Sequence, residues 1–190
     1  MAKRRVVLAS ASPRRREILT SIGVEFEILP ADIDESRIEA PSPKQLTKRL
    51  SLAKAEAIET DRRTLVIGAD TVVVYRGRVY GKPHTEENAV KMLKTLCGRW
   101  HTVYTGVTVL CEGRVVNYAV RSRVKLKALS DGEITEYVEN TNPVDKAGSY
   151  GIQDGGVVEK YRGSYTNIVG LPKEKLARVL AGFGVYDGNG

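Results

Sequence analysis

The sequence predicts an α/β fold built on a mixed β-sheet. Strand-like apolar runs alternate with segments that have helical spacing, and at least two pairs of strands are joined by tight turns. With 190 residues, 42% of them apolar, the chain can bury a core without disulfide bonds. No internal repeat or linker divides it, so we expect one domain over residues 1–190. Within that domain, residues 103–165 are expected to form one lobe and residues 1–102 with 166–190 the other, with a central cleft between them.

Three helices in the first half of the chain begin at recognisable caps. Ser12-Pro13 and Ser42-Pro43 each combine a serine N-cap with a proline at the first helical position, and Thr85 caps a third helix. Gly23 is a suitable stop for the first of these helices. The strands predicted around them are Val6–Ala9, Glu25–Leu29, Leu65–Tyr75 and Arg78–Tyr80.

The second half of the chain is predicted to contain two hairpins and two helices. Ser130 and Glu133 have the spacing of a capping box, so a helix is expected from there to about Glu139. Residues 140–156 are expected to be a loop, and the Gly-rich end after Gly182 is expected to fray. The predicted hairpins are Val103–Leu110 with Val115–Leu126 and Val157–Lys160 with Tyr165–Val169, and the last helix runs from Pro172 to Leu180.

The positive charge of the chain predicts an anionic partner. Thirty Lys and Arg against 23 Asp and Glu give a net charge of +7. The cations are scattered rather than gathered in a tail, and aromatic residues make up only 6% of the chain. Because a single-strand binder places aromatic side chains along a basic groove, this composition favours a phosphate-bearing small molecule over nucleic acid.

The same composition argues against several classes of protein. No apolar run approaches the roughly 18 residues that a membrane-spanning helix needs. Two cysteines are too few for a disulfide framework, and two histidines leave little material for a histidine-rich metal site. The first residues lack the apolar region and cleavage site of a signal peptide. We therefore expect a cytoplasmic protein without a membrane partner.

A first candidate site follows the first strand. Ser10 and Ser12 precede a helix whose first turns carry Arg14, Arg15 and Arg16. A helix start offers free N–H groups and arginine matches phosphate oxygens, so this segment suits an anion. Arginines in a first turn oppose the helix dipole, so their placement needs a reason. A simple cap followed by solvated arginines is the alternative.

A second candidate is Asp70, which lies inside the otherwise apolar strand Leu65–Tyr75. Strand interiors disfavour aspartate, and burying its charge without a partner is costly. A catalytic or metal-binding carboxylate would explain that cost. A structural aspartate with satisfied hydrogen bonds is the alternative.

Other polar residues give weaker signals. Lys82 comes after a strand, where it can offer a point charge to phosphate, and the loop 145–153 combines glycines with polar side chains that include Gln153. Glu35 lies in an acidic loop and Lys54 beside the apolar face of a helix, and both kinds of residue are usually solvated.

Together these segments resemble the motifs of the Maf family, nucleoside triphosphate pyrophosphatases first described as septum-formation inhibitors. The matching segments, in the family's order, are Ser10-Ala-Ser-Pro-Arg-Arg, Gly68-Ala-Asp-Thr, Gly81-Lys-Pro, Gly98-Arg and Asp145-Lys-Ala-Gly-Ser-Tyr-Gly-Ile-Gln. The resemblance implies an elongated mixed α/β structure with two lobes around a central cleft, related to inosine-triphosphate pyrophosphatases. It also implies a homodimer, a divalent cation (Mg²⁺ or Mn²⁺), and hydrolysis of a nucleotide to its monophosphate plus diphosphate.

The resemblance also implies roles for individual residues. Asp70 corresponds to the proton acceptor, and the remaining active-site groups correspond to Ser10, Arg15, Glu35, Lys54 and Lys82. The positions that determine substrate choice correspond to Arg14, Thr71 and Gln153. The combination of Gly-Ile-Gln with Gly-Ala-Asp-Thr resembles the branch that acts on dTTP and UTP.

One residue departs from the family pattern. Cys97 stands where the family usually has serine, immediately before Gly98. The hydroxyl is lost, but the glycine that ends the helix is kept. We therefore expect activity to be retained.

The chemistry of the carboxylates leaves more than one role open. Glu35 and Asp70 offer hard oxygen ligands for Mg²⁺ or Mn²⁺. Asp70 can hold the metal, take a proton from the attacking water, or do both. Arg15, Lys54 and Lys82 can neutralise charge on the leaving diphosphate.

The predicted substrates are dTTP and UTP, in standard or modified form. The amide of Gln153 has a donor and an acceptor that match the imide edge of uracil or thymine. A house-cleaning role is expected, with a link to arrest of cell division. The alternative is a non-catalytic regulator that binds DNA or a division protein through its basic surface, although carboxylates among the cations would repel a nucleic-acid backbone.

Overall fold

The computed structural model describes residues 4–186, and the chain divides into two compact units. Of the described residues, unit 1 contains 4–70, 105–120 and 170–186, and unit 2 contains 71–104 and 121–169. The lobes predicted from the sequence have other bounds, near 103 and 165, and stay a prediction. The expectation of a frayed end falls partly on residues 187–190, outside the described residues.

The strands of the described chain form one seven-stranded mixed sheet. They are β1 (Val6–Leu8), β2 (Glu27–Ile28), β3 (Leu65–Tyr75), β4 (Arg78–Tyr80), β5 (Trp100–Cys111), β6 (Arg114–Leu126) and β7 (Val158–Arg162). Their order is β2-β1-β3-β5-β6-β7, and β4 pairs with β3. Strand β1 is parallel to β2 and β3, whereas β4 is antiparallel to β3 and β7 is antiparallel to β6. The predicted α/β fold with a mixed sheet is confirmed.

Most helices begin at the caps that the sequence predicted. The helices of the described residues are α1 (Pro13–Thr20), α2 (Pro43–Glu56), α3 (Glu86–Leu96), α4 (Asp131–Thr141), α5 (Tyr165–Val169) and α6 (Lys173–Ala181). The side chains of Ser12, Ser42 and Thr85 each accept a backbone N–H three residues ahead, which satisfies a donor that the helix leaves free. Ser130 and Glu133 form the predicted capping box. No helix within residues 4–186 is both long and apolar enough to span a bilayer.

The segment Tyr165–Val169 was predicted as a strand, and this prediction is wrong because it forms helix α5. Its aromatic and β-branched residues suit a strand, but polar contacts decide the outcome. Ser164 Oγ accepts the backbone N–H of Asn167 at 3.1 Å, and the buried amide of Asn167 donates to Ser122 Oγ at 2.9 Å. Burying that amide unpaired would be costly, so tertiary context overrides the local preference.

Each unit has its own apolar core. In unit 1, Ala55 of α2 packs against Ala9 and Val66, a contact between small side chains. In unit 2, buried residues of α3 and α4 share one core with buried residues of β3, β5 and β6. The larger buried side chains of that second core are Val73, Leu93, Leu96, Val103, Val124, Leu126, Ile134, Tyr137, Val138, Tyr150, Val157 and Ile168.

Candidate functional site in unit 1 and loop 145–154 in unit 2

The carboxylates of Asp70 and Glu35 meet at one ammonium group. Lys54 Nζ lies 2.7 Å from Asp70 Oδ1 and 2.9 Å from Glu35 Oε1. The side chains of Lys54 and Asp70 are only 12% and 9% exposed, whereas that of Glu35 is 52% exposed. Glu35 and Lys54 were weak candidates in the sequence, and the fold brings both to Asp70. The cluster therefore consists of a largely buried ion pair, Lys54 with Asp70, and a second acid, Glu35, that faces solvent.

Helix α2 reaches Asp70 because two glycines let it lie directly on the strands. A Cβ atom added at Gly68 of β3 would lie 2.2 Å from the Ser51 carbonyl oxygen, and one at Gly106 of β5 would lie 2.2 Å from that of Thr47. Neither position has room for a side chain. Since residues 68 and 70 share one face of β3, Asp70 points to the face that α2 covers.

A polar network that includes the buried Ser51 and Thr108 and the half-buried Asn117 holds α2 in this position. Asn117 donates its side-chain amide to Thr108 Oγ1 at 2.6 Å and to the Lys48 carbonyl oxygen at 2.9 Å, and Ser51 Oγ lies 3.0 Å from Thr108 Oγ1. Sequence reasoning missed these residues. Thr108 lies 57 residues from its partner Ser51 in α2, and Asn117 lies 69 residues from its partner Lys48. No local sequence pattern could therefore have identified these contacts.

Arg15, in the first turn of α1, is held by two hydrogen bonds, one to Ser10 of the same sequence motif and one to the distant Gly170. Its Nη1 donates to Ser10 Oγ at 3.1 Å and its Nε donates to the carbonyl oxygen of Gly170 at 2.9 Å. Burial lowers the pKa of the Arg15 guanidinium, the Asp70 and Glu35 carboxylates raise it, and neighbouring Arg14 lowers it. The guanidinium of Arg15 therefore lies within the electrostatic field of both acids.

The two carboxylates suit a magnesium-like ion only when other ligands complete its shell. Among residues 4–186, no hydrogen bond is made to the second oxygen of Asp70 or of Glu35. The same residues contain no group of three or more His, Cys, Asp or Glu side chains that could hold a metal ion. Mg²⁺ commonly takes one or two protein carboxylates and completes its shell with water and substrate phosphates, and the donors found here fit that pattern.

Three of the predicted residues belong to unit 2. Thr71 follows Asp70 on β3, and successive strand residues point to opposite faces. Lys82 follows β4, and Gln153 is exposed in the short 3₁₀ turn Ile152–Asp154. The backbone N–H of Gly148 donates to the Gly81 carbonyl oxygen at 3.0 Å, which ties the loop to the residue before Lys82.

Comparison with known protein families gives one match across nearly the whole chain. The family model described as "Maf-like protein" matches residues 5–183. That range includes all the residues singled out by the sequence motifs.

Individual relatives match over almost their full length. A dTTP/UTP pyrophosphatase of Thermosipho africanus is 43% identical over 185 residues, covering 96% of this chain and 95% of its own. A dTTP/UTP pyrophosphatase of Acetivibrio thermocellus is 44% identical over 193 residues, covering 95% of this chain and 96% of its own. Among solved structures, the Ham1 protein of Staphylococcus aureus aligns with a TM-score of 0.43 at 16% identity, over 64% of this chain and 71% of its own.

Proposed function

Because the chain belongs to the Maf family, we propose that it hydrolyses dTTP and UTP to the nucleoside monophosphate and diphosphate. The names of its relatives support the substrate. The chemistry is supported by one observation above all, the single ammonium of Lys54 shared by Asp70 and Glu35. Two cations, Arg15 and Lys54, and two acids with spare oxygens are a suitable set for transfer of a nucleotidyl group to water.

In the proposed reaction a water molecule attacks the α-phosphorus, and the bond between that phosphorus and the oxygen bridging it to the β-phosphorus breaks. Negative charge then develops on the departing diphosphate, and the attacking water loses a proton. Arg15 and Lys54 can stabilise the developing charge, while Asp70 can accept the proton. Ser10 orients the guanidinium of Arg15 through the 3.1 Å hydrogen bond.

A divalent cation, Mg²⁺ or Mn²⁺, would be held by Asp70 and Glu35 through the oxygens that Lys54 leaves available, and it would neutralise phosphate charge. Without such an ion, Lys54 and Arg15 only balance the charges of the two acids. A triphosphate adds several negative charges to a cluster that is close to neutral. This imbalance supports the expectation of a metal requirement.

Substrate choice is assigned to Arg14, Thr71 and Gln153, and a phosphate contact to Lys82, as the family resemblance implies. The Gln153 amide can pair with the N–H and C=O groups of uracil or thymine, and cytosine reverses part of that pattern. A site built for such hydrogen bonds discriminates strongly, because the wrong base leaves polar groups unpaired. We further expect a cytoplasmic homodimer. Its expected role is house-cleaning, in which it also hydrolyses modified pyrimidine nucleotides.

A panel of nucleotides with Mg²⁺ tests the proposal, scored for monophosphate and diphosphate against orthophosphate. We expect dTTP and UTP to give diphosphate with a kcat/KM well above that for GTP or CTP. Comparable kcat/KM for all four nucleotides would contradict the specificity, and release of orthophosphate alone would contradict the reaction. Steeply salt-dependent binding of duplex DNA without any turnover would instead favour the non-catalytic regulator.

A further inference from the structure

His101 and Tyr150 form a buried polar pair in unit 2. His101 Nε2 lies 2.7 Å from the Tyr150 hydroxyl, and the two rings meet edge to face with centroids 5.3 Å apart. Burial lowers the pKa of His101 to about 4 and raises the pKa of Tyr150 far above its usual value. Both side chains are therefore neutral near pH 7, and their hydrogen bond persists over the physiological range.

The loop residues before Tyr150 adopt conformations that need external support. Gly148 and Ser149 have φ of +71° and +65°, and a left-handed serine is unfavourable. A Cβ at Gly148 would lie 2.7 Å from Val73 Cγ2, so the backbone is pressed against β3. Such a chain path persists only where neighbouring contacts hold it, and the hydrogen bond of Tyr150 to a β-strand residue is one such contact.

The residues after Tyr150 are held by a second buried tyrosine. The Tyr137 hydroxyl accepts the Gly151 backbone N–H at 3.1 Å and donates to Asp154 Oδ2 at 3.0 Å. Lys146 Nζ donates to the same Asp154 oxygen at 2.5 Å. Gln153 thus lies on a short turn whose two ends are fixed, one at Tyr150 and the other at Asp154.

We propose that His101 is a positioning residue for nucleotide-base selection: it holds Tyr150, and Tyr150 fixes the backbone that presents Gln153. Neither His101 nor Tyr150 is exposed enough to meet a nucleotide, at 3% and 5% exposure. They act on base choice and leave the hydrolytic groups of unit 1 unchanged. This inference rests on the proposed role of Gln153 in the proposed function.

Tyr150→Phe tests the proposal, because it removes only the hydroxyl and keeps the ring. We expect KM for UTP to rise while kcat at saturating UTP stays unchanged, so that the preference for UTP over CTP falls about tenfold, the ratio that one hydrogen bond of typical strength supports. His101→Phe should reproduce this loss, and His101→Gln, whose amide can still pair with the hydroxyl, should restore most of the preference. An unchanged UTP:CTP ratio in Tyr150→Phe would overturn the proposal.

Tyr118→Phe is the matched control. Tyr118 is a buried tyrosine of unit 1, and its hydroxyl has no hydrogen-bond partner among residues 4–186. The control should leave both KM and the UTP:CTP ratio unchanged.

Amide hydrogen exchange separates failure of this inference from failure of the proposed function. Exchange across residues 145–154 should accelerate in Tyr150→Phe and not in Tyr118→Phe, whatever the enzyme hydrolyses. Equal protection of the loop in the wild type and Tyr150→Phe would overturn the positioning role. If exchange in residues 145–154 is faster in Tyr150→Phe but the wild type hydrolyses no nucleotide, the role of Tyr150 in holding the loop stands and only the proposed function is rejected.

Discussion

Within residues 4–186, each unit contains a lysine–aspartate pair whose side chains are largely buried, and the two pairs differ in what surrounds them. Lys54 and Asp70 in unit 1 are 12% and 9% exposed, and Lys146 and Asp154 in unit 2 are 11% and 15% exposed. Burial and charge alone would not distinguish them. Their remaining hydrogen bonds do.

Asp154 is bound by two donors that stabilise its own loop, whereas Asp70 shares its lysine with a second acid, Glu35. One Asp154 oxygen accepts both Lys146 and the Tyr137 hydroxyl, and a Cβ at Gly151 would lie within 2.6 Å of that carboxylate. Within residues 4–186, Asp70 accepts a hydrogen bond only from Lys54. A carboxylate that accepts from a lysine and a tyrosine stabilises the loop around it, whereas two carboxylates at one ammonium can together bind water or a metal ion. This contrast is why we assign chemistry to Asp70 and structure to Asp154.

Asp70→Asn should give the largest effect on activity. The amide keeps the shape of the side chain but can neither accept a proton well nor ligate a cation strongly. We expect kcat to fall by about 10³-fold or more, about 4 kcal/mol of transition-state stabilisation. Steady-state release of diphosphate from UTP measures the loss, and far-ultraviolet circular dichroism should show an unchanged fold. An Asp70→Asn enzyme with near wild-type turnover would falsify the assignment.

Asp154→Asn should have the opposite profile. It leaves the largely buried Lys146 with a neutral partner, which we expect to lower the free energy of unfolding by about 2 kcal/mol. The hydrolytic groups are untouched, so kcat for UTP should stay within about threefold of wild type, while a change in KM reports the disturbed loop. Urea denaturation and steady-state kinetics on the same samples measure both. A large fall in kcat without a fall in stability would reverse the two assignments.

Local signals in the sequence were sufficient to predict the helix caps, the long strand β3 and the motif residues. They were insufficient to predict the tertiary contacts that bring these residues together. Ser12 and Ser130 act on neighbours three residues away, so a short window contains all the interacting groups. The spacing rules could not show that Gly68 and Gly106 admit α2, or that Asn117 bonds to that helix, because those partners are distant along the chain. Helix α5 was missed partly for the same reason, since the Asn167 amide bonds to the distant Ser122, although the bond from the Asn167 N–H to Ser164 three residues earlier is a local signal.

The neutral pair of unit 2 should make stability depend on pH. The pKa of His101 is about 4 in the folded protein, below its ordinary value of 6.5. Between pH 4 and pH 6.5 the unfolded chain binds a proton at His101 that the folded chain does not. The contribution of neutral His101 to the free energy of unfolding is therefore complete above about pH 6.5 and is lost as the pH falls toward 4. From pH 7 to pH 5 we expect a loss of about 2 kcal/mol.

Urea denaturation at pH 7, 6 and 5 measures this loss, with His101→Gln as the comparison because its amide does not titrate. The difference in unfolding free energy between the wild type and His101→Gln should shrink steadily as the pH falls. An equal pH dependence of the two proteins would mean that His101 is not the titrating group.

Glu35→Gln should have a much smaller effect on activity than Asp70→Asn, because Glu35 is the most exposed member of its cluster. Its ion pair with Lys54 is largely screened by solvent, so we expect kcat/KM for UTP to fall only about tenfold. Glu39→Gln, an exposed acid a short distance along the same loop, is the matched control and should leave kcat/KM unchanged. If Glu35 ligates the metal, raising the Mn²⁺ concentration should recover much of the lost activity, because mass action compensates for the missing oxygen. A deficit that is the same at every Mn²⁺ concentration would instead mean that Glu35 serves to orient Lys54 and that Asp70 alone supplies the carboxylate for the ion.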